Sequence, residues 1–151
     1  DKIYLDMRVF KSILILLLTT NFCLAVDSDS LNYFRKSIEE VQAGLAYAEK
    51  ISEVQDTTFT ISEEQVNKII YHSKKALEYS NKVLDEDLNK LDRSLFYKTV
   101  AKKYENLFRE GLRLHISAWE EGDTVKGVKA NKLLNNWAKY YNKLRKKYLH
   151  L

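Results

Sequence analysis

Proline is absent from this chain, and glycine occurs only four times in its 151 residues. Sheet-rich domains need a turn every few residues, and glycine and proline usually build those turns. A chain with so few turn-forming residues favours long helices with short connections. Because 45% of the residues are hydrophobic, such helices can bury a core, and the chain is not expected to be disordered. The sequence therefore predicts an all-α domain.

A segment near the N-terminus is typical of a secretory signal peptide. Arg8 and Lys11 follow Met7 and give a basic start, an apolar run occupies residues 13–18, and Ala25 supplies a small residue at the cleavage position. The strongly apolar run is shorter than the roughly 20 residues that a membrane-spanning helix needs. We therefore expect an exported protein that is cleaved after Ala25.

This segment also predicts the domain organisation. Residues 1–25 comprise an upstream stretch and the signal peptide, with the start expected at Met7, and residues 26–151 form the mature domain. Whether the residues before Met7 are translated stays open. A membrane anchor is one alternative, and a lipoprotein is another, although Cys23 lacks the preceding small residues that lipoprotein processing needs. The expected location is the periplasm or the outside of the cell, with no transmembrane segment in the mature chain.

Apolar residues recur at steps of three and four over four segments, which predicts four amphipathic helices. The first helix is expected over residues 30–54. The second begins at Glu63, because Ser62 and Gln65 have the spacing of a capping box, in which each side chain binds the backbone amide of the other residue. The expected core stripe of the second helix is Val66, Ile69, Ile70, Ser73, Leu77, Ser80 and Leu84.

A turn is predicted over residues 85–92, followed by a third helix from about Arg93 to Gly122 and a fourth that Asp123 caps. The alternative is one continuous helix over residues 63–121, which is far longer than is usual in globular proteins. Four such helices pack best as an antiparallel up-down bundle, as a monomer or a dimer. The expected core stripes are Phe96, Val100, Tyr104, Leu107, Phe108, Gly111, His115, Ala118 and Trp119 in the third helix, and Val125, Val128, Leu133, Trp137, Tyr141, Leu144 and Tyr148 in the fourth.

The titratable residues form no pattern that indicates catalysis. His72, His115 and His150 are expected at three different heights of the bundle, so they cannot share one metal ion. Adjacent carboxylates such as Glu39 and Glu40 point to different faces of a helix. We interpret His72 as a half-exposed surface residue and His115 as a histidine at the core edge with a hydrogen bond. The expectation is a non-catalytic protein with no catalytic residues and no cofactor.

Positive charge is concentrated at the C-terminal end of the chain. From Asp123 onward, eight lysines and arginines face a single acidic residue, whereas residues 26–122 carry a net charge of −4. Such a helix suits an anionic lipid headgroup or an acidic protein, while export argues against nucleic acid. The alternative is a solvated face that pairs with the acidic remainder of the domain. The candidate basic residues are Lys139, Lys143, Arg145, Lys146 and Lys147.

Aromatic residues are expected to gather at one end of the bundle, where the first and third helices start and the second and fourth end. Tyrosine combines an apolar ring with a polar hydroxyl, which suits ligand pockets and partner surfaces. The alternative is a plug of large side chains that closes the core. The residues expected at this aromatic end are Tyr33, Phe34, Phe96, Tyr97, Trp137, Tyr140, Tyr141 and Tyr148.

The segment His-Ser-Lys-Lys-Ala-Leu-Glu-Tyr at residues 72–79 resembles a repeat unit of the small metal-binding proteins of the bacterial periplasm, which are short helical bundles. The turn at Gly122 and Asp123 is similar to their helical hairpin. The resemblance implies metal binding with His72 as the ligand, since Tyr79 stands where the second histidine would be. The periplasmic b-type haem bundles are similar in topology, but residues 140–142 read Tyr-Tyr-Asn where their haem histidine would lie.

These observations predict an exported, non-catalytic helical protein with a binding or accessory role. Its contact surface would be the aromatic end or the basic C-terminal helix, and the identity of the partner stays open. A divergent periplasmic metal-binding bundle is the alternative function.

Overall fold

The computed structural model describes residues 29–54, 61–91 and 99–148, which are mostly helical and contain no strand. The all-α prediction is therefore confirmed. The predicted signal peptide, Arg93, Phe96, Tyr97 and His150 lie outside the described residues, as do the side chains of Lys147 and Tyr148. The helices are α1 (Asp29–Val54), α2 (Glu63–Asn81), α3 (Asp85–Asn89), α4 (Thr99–Lys103), α5 (Glu110–Glu121) and α6 (Thr124–Tyr148), with a π-helical segment (Tyr104–Arg109) between α4 and α5.

The helix ends follow the local signals in the sequence. Ser62 accepts a hydrogen bond from the Gln65 amide at 3.2 Å, and the Gln65 side chain accepts one from the Ser62 amide at 2.9 Å, so the capping box is confirmed. Gly122 ends α5 in the left-handed conformation with φ 68°, which glycine adopts without steric cost. The Asp123 carboxylate accepts a hydrogen bond from the Lys126 amide at 3.0 Å and so caps the start of α6.

The region after α2 differs from the prediction in two ways. The short helix α3 occupies most of the place where only a turn was expected. The helix from Thr99 to Glu121 also contains the π-helical segment, which inserts an extra residue into the turn. Tyr104 and Phe108 are buried as predicted, and Arg109, which was not assigned to the core stripe, is buried with them. The alternative of one continuous helix over residues 63–121 is excluded by the non-helical residues that follow Asn81.

Two helical pairs build the core. α1 packs along α2, α5 packs along α6, and α2 lies against α5 to join the pairs. The π-helical segment lies against α6, and α1 reaches α6 through aromatic rings. Among the described residues, no helix combines the length and the apolar character that crossing a membrane requires.

The predicted core stripe of α6 is partly wrong. Val125 and Val128 are 78% and 62% exposed, Leu133 is only half-buried, and Leu134 faces the core instead. At about 100° per residue, Val125 lies about 120° around the helix from Trp137 and Val128 lies opposite it, so the valines cannot share its buried face. The residues of α6 that do face inward include Gly127, Ala130, Asn131, Leu134, Trp137, Ala138, Tyr141 and Leu144.

The predicted stripe of the second helix needs a similar correction at its end. Leu84 is 60% exposed, because it follows the end of α2 and does not continue the helical periodicity. Val83 is buried in its place, and Ala76 is fully buried within α2 although it was not assigned to the core.

Gly111 sets the distance between α5 and α6. A Cβ at this position would lie 2.8 Å from Leu134 Cγ and 3.3 Å from the Leu134 backbone nitrogen. At Gly127, which also lies within a helix, a Cβ would lie 3.8 Å from the Ala118 Cβ, an ordinary contact. Both glycines lie within helices, but only Gly127 has room for a methyl group.

We expect Gly127→Ala to raise the free energy of unfolding by up to about 1 kcal/mol, because alanine is the better helix former. Gly111→Ala gains the same propensity but forces Leu134 aside, so it should lower that free energy by about 1–2 kcal/mol overall. Urea denaturation of both variants measures the difference. Equal stability of the two variants would show that Leu134 has room to move.

Candidate functional site

A stripe of five exposed lysines runs along α6 and defines what we call the lysine face: Lys129, Lys132, Lys139, Lys143 and Lys146. Successive residues of an α-helix are rotated by about 100° around its axis, which places all five lysines within about 100° of the helix circumference. The stripe is about 26 Å long. α6 contains no acidic residue. Within the described part of the chain, no carboxylate lies within 4.0 Å of any of these five ammonium groups.

Several of the other lysines pair with carboxylates of the domain. Lys74 contacts Glu120 at 2.6 Å, Lys75 contacts Glu78 at 2.9 Å, and Lys126 at the start of α6 contacts Glu121. These hydrogen bonds and the opposite charges lower the pKa of Glu78 and of Glu121 below the usual carboxyl value. The lysine face therefore differs from these paired lysines, because five lysines share one stripe of a single helix and none of them has a carboxylate partner among the described residues.

Not every candidate basic residue lies on this face. Lys139, Lys143 and Lys146 do, whereas Arg145 is half-buried and lies on another side of α6. Burial raises the pKa of Tyr141 to about 12, and the positive charge of Arg145 opposes that rise. Arg145 thus belongs to the interior edge of the helix and is separate from the exposed stripe.

The predicted aromatic end is largely a closed core cluster. The rings of Phe34, Trp137 and Tyr141 are buried, and they pack with Tyr104 and Phe108, which were not assigned to this group. Ring centroids within the cluster lie 4.8–6.3 Å apart. The cluster corresponds to the alternative interpretation, a plug of large side chains, because it offers no open surface to a partner.

Tyr33 and Tyr140 lie at the margin of this cluster, where they are half-buried. The Tyr33 ring stacks on Tyr79 at 6.2 Å, and Lys82 lies over both rings. The Tyr140 ring lies 5.8 Å from that of Trp137, with the Lys103 ammonium 5.0 Å above it. The rings of Tyr33 and Tyr140 therefore each already contact a lysine ammonium group of the same chain.

A small cavity lies between α1, α2, α5 and α6. Its volume of about 20 Å³ is sufficient for one water molecule and too small for an organic ligand. The Asn131 side-chain oxygen has no hydrogen-bond partner among the described residues and is one of the few polar groups at the cavity wall. The lining residues are Glu40, Val41, Gly44, Leu45, Ile69, Ser73, Leu112, His115, Asn131 and Leu134.

His115 lies in this wall within a chain of hydrogen bonds. The Trp119 indole N–H donates to His115 Nε2 at 3.0 Å, and since an indole only donates, Nε2 must be unprotonated. The proton of the neutral ring is therefore on Nδ1, which donates to Ser73 Oγ at 3.0 Å. Ser73 in turn donates to the Ile69 carbonyl at 3.1 Å. The prediction of a hydrogen-bonded histidine at the core edge is confirmed.

This hydrogen-bond chain does not suit nucleophilic catalysis. A serine nucleophile must give its proton to the histidine, whereas the Ser73 hydroxyl donates to the Ile69 carbonyl and accepts from His115. Burial lowers the pKa of His115 to about 4, because the surroundings disfavour the charged ring. The arrangement holds a neutral histidine in place and thereby joins α2 to α5.

His72, the histidine on which the metal-binding resemblance depends, is only partly exposed. Its Nδ1 lies 2.8 Å from a carboxylate oxygen of Glu40 on α1. Within residues 29–54, 61–91 and 99–148, no three histidine, cysteine or acidic side chains are grouped so that they could hold a metal ion. The pair links α1 to α2 near Gly44, where a Cβ would approach the His72 Cβ at 3.1 Å.

Comparison with known protein families, with curated proteins and with solved structures finds no match for this chain. The resemblance to the periplasmic metal-binding proteins therefore stays a prediction. Function has to be inferred from the geometry of the described residues, of which the lysine face is the feature with the clearest chemical character.

Proposed function

We propose that this chain is an exported, non-catalytic four-helix bundle that binds an anionic partner through the lysine face of α6. The observation that carries the proposal is a stripe of five exposed lysines without a carboxylate partner among the described residues, on a helix that contains no acidic residue. Positive fields of this kind attract anionic lipids and acidic proteins.

The spacing of the lysines is unfavourable for the stability of the free helix and is better explained by binding of an anion. Lys129 and Lys132, like Lys139 and Lys143, are three or four residues apart, where equal charges on a helix repel one another. The helix dipole favours positive charge near the C-terminal end, which accounts for Lys146 and leaves the two lysines of the first half unexplained. An anionic partner would remove the repulsion at every position.

The other candidate surface has less support. Most of the described rings of the aromatic end are buried, so they already contribute to stability through packing and leave little surface for a partner. The proposal therefore rests on the lysine face alone.

The test is a charge-neutralising variant with Lys132, Lys139, Lys143 and Lys146 each changed to Gln. We expect the wild type to bind heparin, used as a soluble polyanion, with an affinity that falls steeply as salt rises past about 0.15 M, where the Debye length is about 8 Å. The variant should lose this binding and keep the stability of the wild type, since exposed charges contribute little to folding. Affinity chromatography and urea denaturation provide the two measurements.

A matched control removes the same number of charges from other helices. Lys50, Lys68, Lys74 and Lys102 are also exposed, and changing them to Gln lowers the net charge equally. This control should retain most of the heparin binding. If both variants lose binding equally, net charge is responsible and the lysine face is not a site. If the lysine-face variant loses several kcal/mol of stability, the lysines serve folding and the proposal is wrong.

A further inference from the structure

We propose that the anionic partner is a lipid bilayer, and that Val125 and Val128 enter it beside the lysine face. This inference rests on the proposed function and specifies its partner. The two residues, called the valine pair below, are 78% and 62% exposed, the highest exposures among the large hydrophobic side chains of the described residues.

The valine pair continues the lysine face towards the start of α6. At about 100° per residue, both valines fall within the same arc of about 100° as the five lysines. Together the two groups form one stripe about 32 Å long, apolar at the end next to the Gly122 turn and basic along the remainder. Lys126, which lies between the valines in sequence, is turned towards Glu121 and contacts it.

A bilayer can interact favourably with both the valine pair and the lysine face. Lysine side chains can lay their apolar stems along the lipid while the ammonium groups reach the phosphates, and valines gain from leaving water for the acyl boundary. A nucleic acid or a sulfated polysaccharide would neutralise the lysines equally well but would leave the valines in water. The combination of exposed valines with unpaired lysines therefore favours a lipid surface.

The inner side of α6 limits how deeply the helix can enter. Trp137 and Tyr141 pack against Phe34 in the core, so α6 remains part of the domain and only its outer stripe faces the membrane. Contact of this kind combines a small apolar area with several lysine–phosphate contacts, each favourable near an anionic leaflet. The binding is therefore expected to be reversible and dependent on lipid charge.

The experiment measures binding of the full chain to vesicles of phosphatidylcholine with about 30% phosphatidylglycerol, and to vesicles of phosphatidylcholine alone. In the double variant Val125→Ser and Val128→Ser, we expect affinity for the anionic vesicles to fall about tenfold while heparin affinity is unchanged. Leu84→Ser is the matched control, because Leu84 is 60% exposed and lies at the turn before α3. It should bind both ligands like the wild type.

A second measurement reports on the position of the helix directly. The indole introduced by Val128→Trp should be quenched by brominated lipids in the anionic vesicles, whereas the indole introduced by Leu84→Trp should not. This local signal remains interpretable whatever the N-terminal residues contribute to vesicle binding.

The outcomes separate this inference from the proposed function. If the valine variant binds anionic vesicles as tightly as the wild type, or if residue 128 is not quenched, insertion is wrong while the lysine face stands. Binding to heparin without binding to anionic vesicles would also overturn the lipid inference alone. Failure of the wild type to bind either ligand at low salt would overturn the proposed function as well.

Discussion

Replacing Arg109 by Met is expected to lower the free energy of unfolding by about 3 kcal/mol, because it removes the three hydrogen bonds that the buried guanidinium donates to the Ser80 and Val83 carbonyl groups. Arg109 is only 8% exposed. Its Nε and Nη2 donate to the Ser80 carbonyl at 3.1 and 2.6 Å, and Nη2 also donates to the Val83 carbonyl at 3.0 Å. The guanidinium thereby caps the end of α2 from the π-helical segment. Met replaces much of the side-chain volume but supplies no donor.

Arg113 provides the matched control for this change. It shares the carboxylate of Glu105 with Arg109, but its side chain is 44% exposed and its ion-pair partners are carboxylates at the surface. Arg113→Met should therefore lower the free energy of unfolding by less than about 1 kcal/mol. Urea denaturation of both variants measures the difference. If the two losses were equal, the bonds from Arg109 to α2 would have no special role in stability.

Acidification from about pH 7 to pH 5 is expected to lower the free energy of unfolding by about 2 kcal/mol through His115 alone. Burial holds the pKa of His115 at about 4 in the folded protein, against 6.5 for an ordinary histidine. Above pH 6.5 the ring is neutral in both states, so nothing is lost. As the pH falls below 6.5, His115 becomes protonated in the unfolded chain but stays neutral in the folded protein, so the free energy of unfolding decreases. The loss reaches about 3 kcal/mol near pH 4 and levels off only below the pKa of the folded protein.

His115→Leu removes this proton uptake and tests its origin. The variant should be less stable than the wild type at neutral pH, since Trp119 and Ser73 lose a hydrogen-bond partner. Its stability should nevertheless change less between pH 7 and pH 5. Ser73→Ala, which keeps the histidine, should retain the acid loss of the wild type. A wild type that is equally stable at both pH values would show that His115 is not held neutral by the fold.

The positions of the helix ends could be predicted from sequence because they depend on local chemistry. Ser62 and Gln65 form a capping box wherever their spacing is correct, and Gly122 is the residue that tolerates φ 68°. These interactions involve neighbours in sequence, so no knowledge of the tertiary structure was needed. The hydrogen-bonded state of His115 was predicted for a similar reason, since a histidine on an apolar stripe needs a partner.

The parts that could not be predicted depend on distant contacts. The buried Arg109 looks like a surface residue in sequence, and only the π-helical segment turns it towards the carbonyl groups at the end of α2. Val125 and Val128 were assigned to the core because they are apolar, although their angular distance from Trp137 argued against it. A stricter use of helical angles would have placed both valines with the lysines. That grouping is the part of the candidate site that sequence analysis missed.

The reactivity of individual lysines towards reductive methylation, with and without heparin at low salt, locates the bound surface residue by residue. We expect one group to become protected together, while Lys68 and Lys74 on α2 react as before; the protected group is Lys129, Lys132, Lys139, Lys143 and Lys146. All seven lysines are exposed in the free protein, so protection reports the bound surface. Uniform protection of all lysines, or protection of those on α2 in place of those on α6, would contradict a binding site on the lysine face.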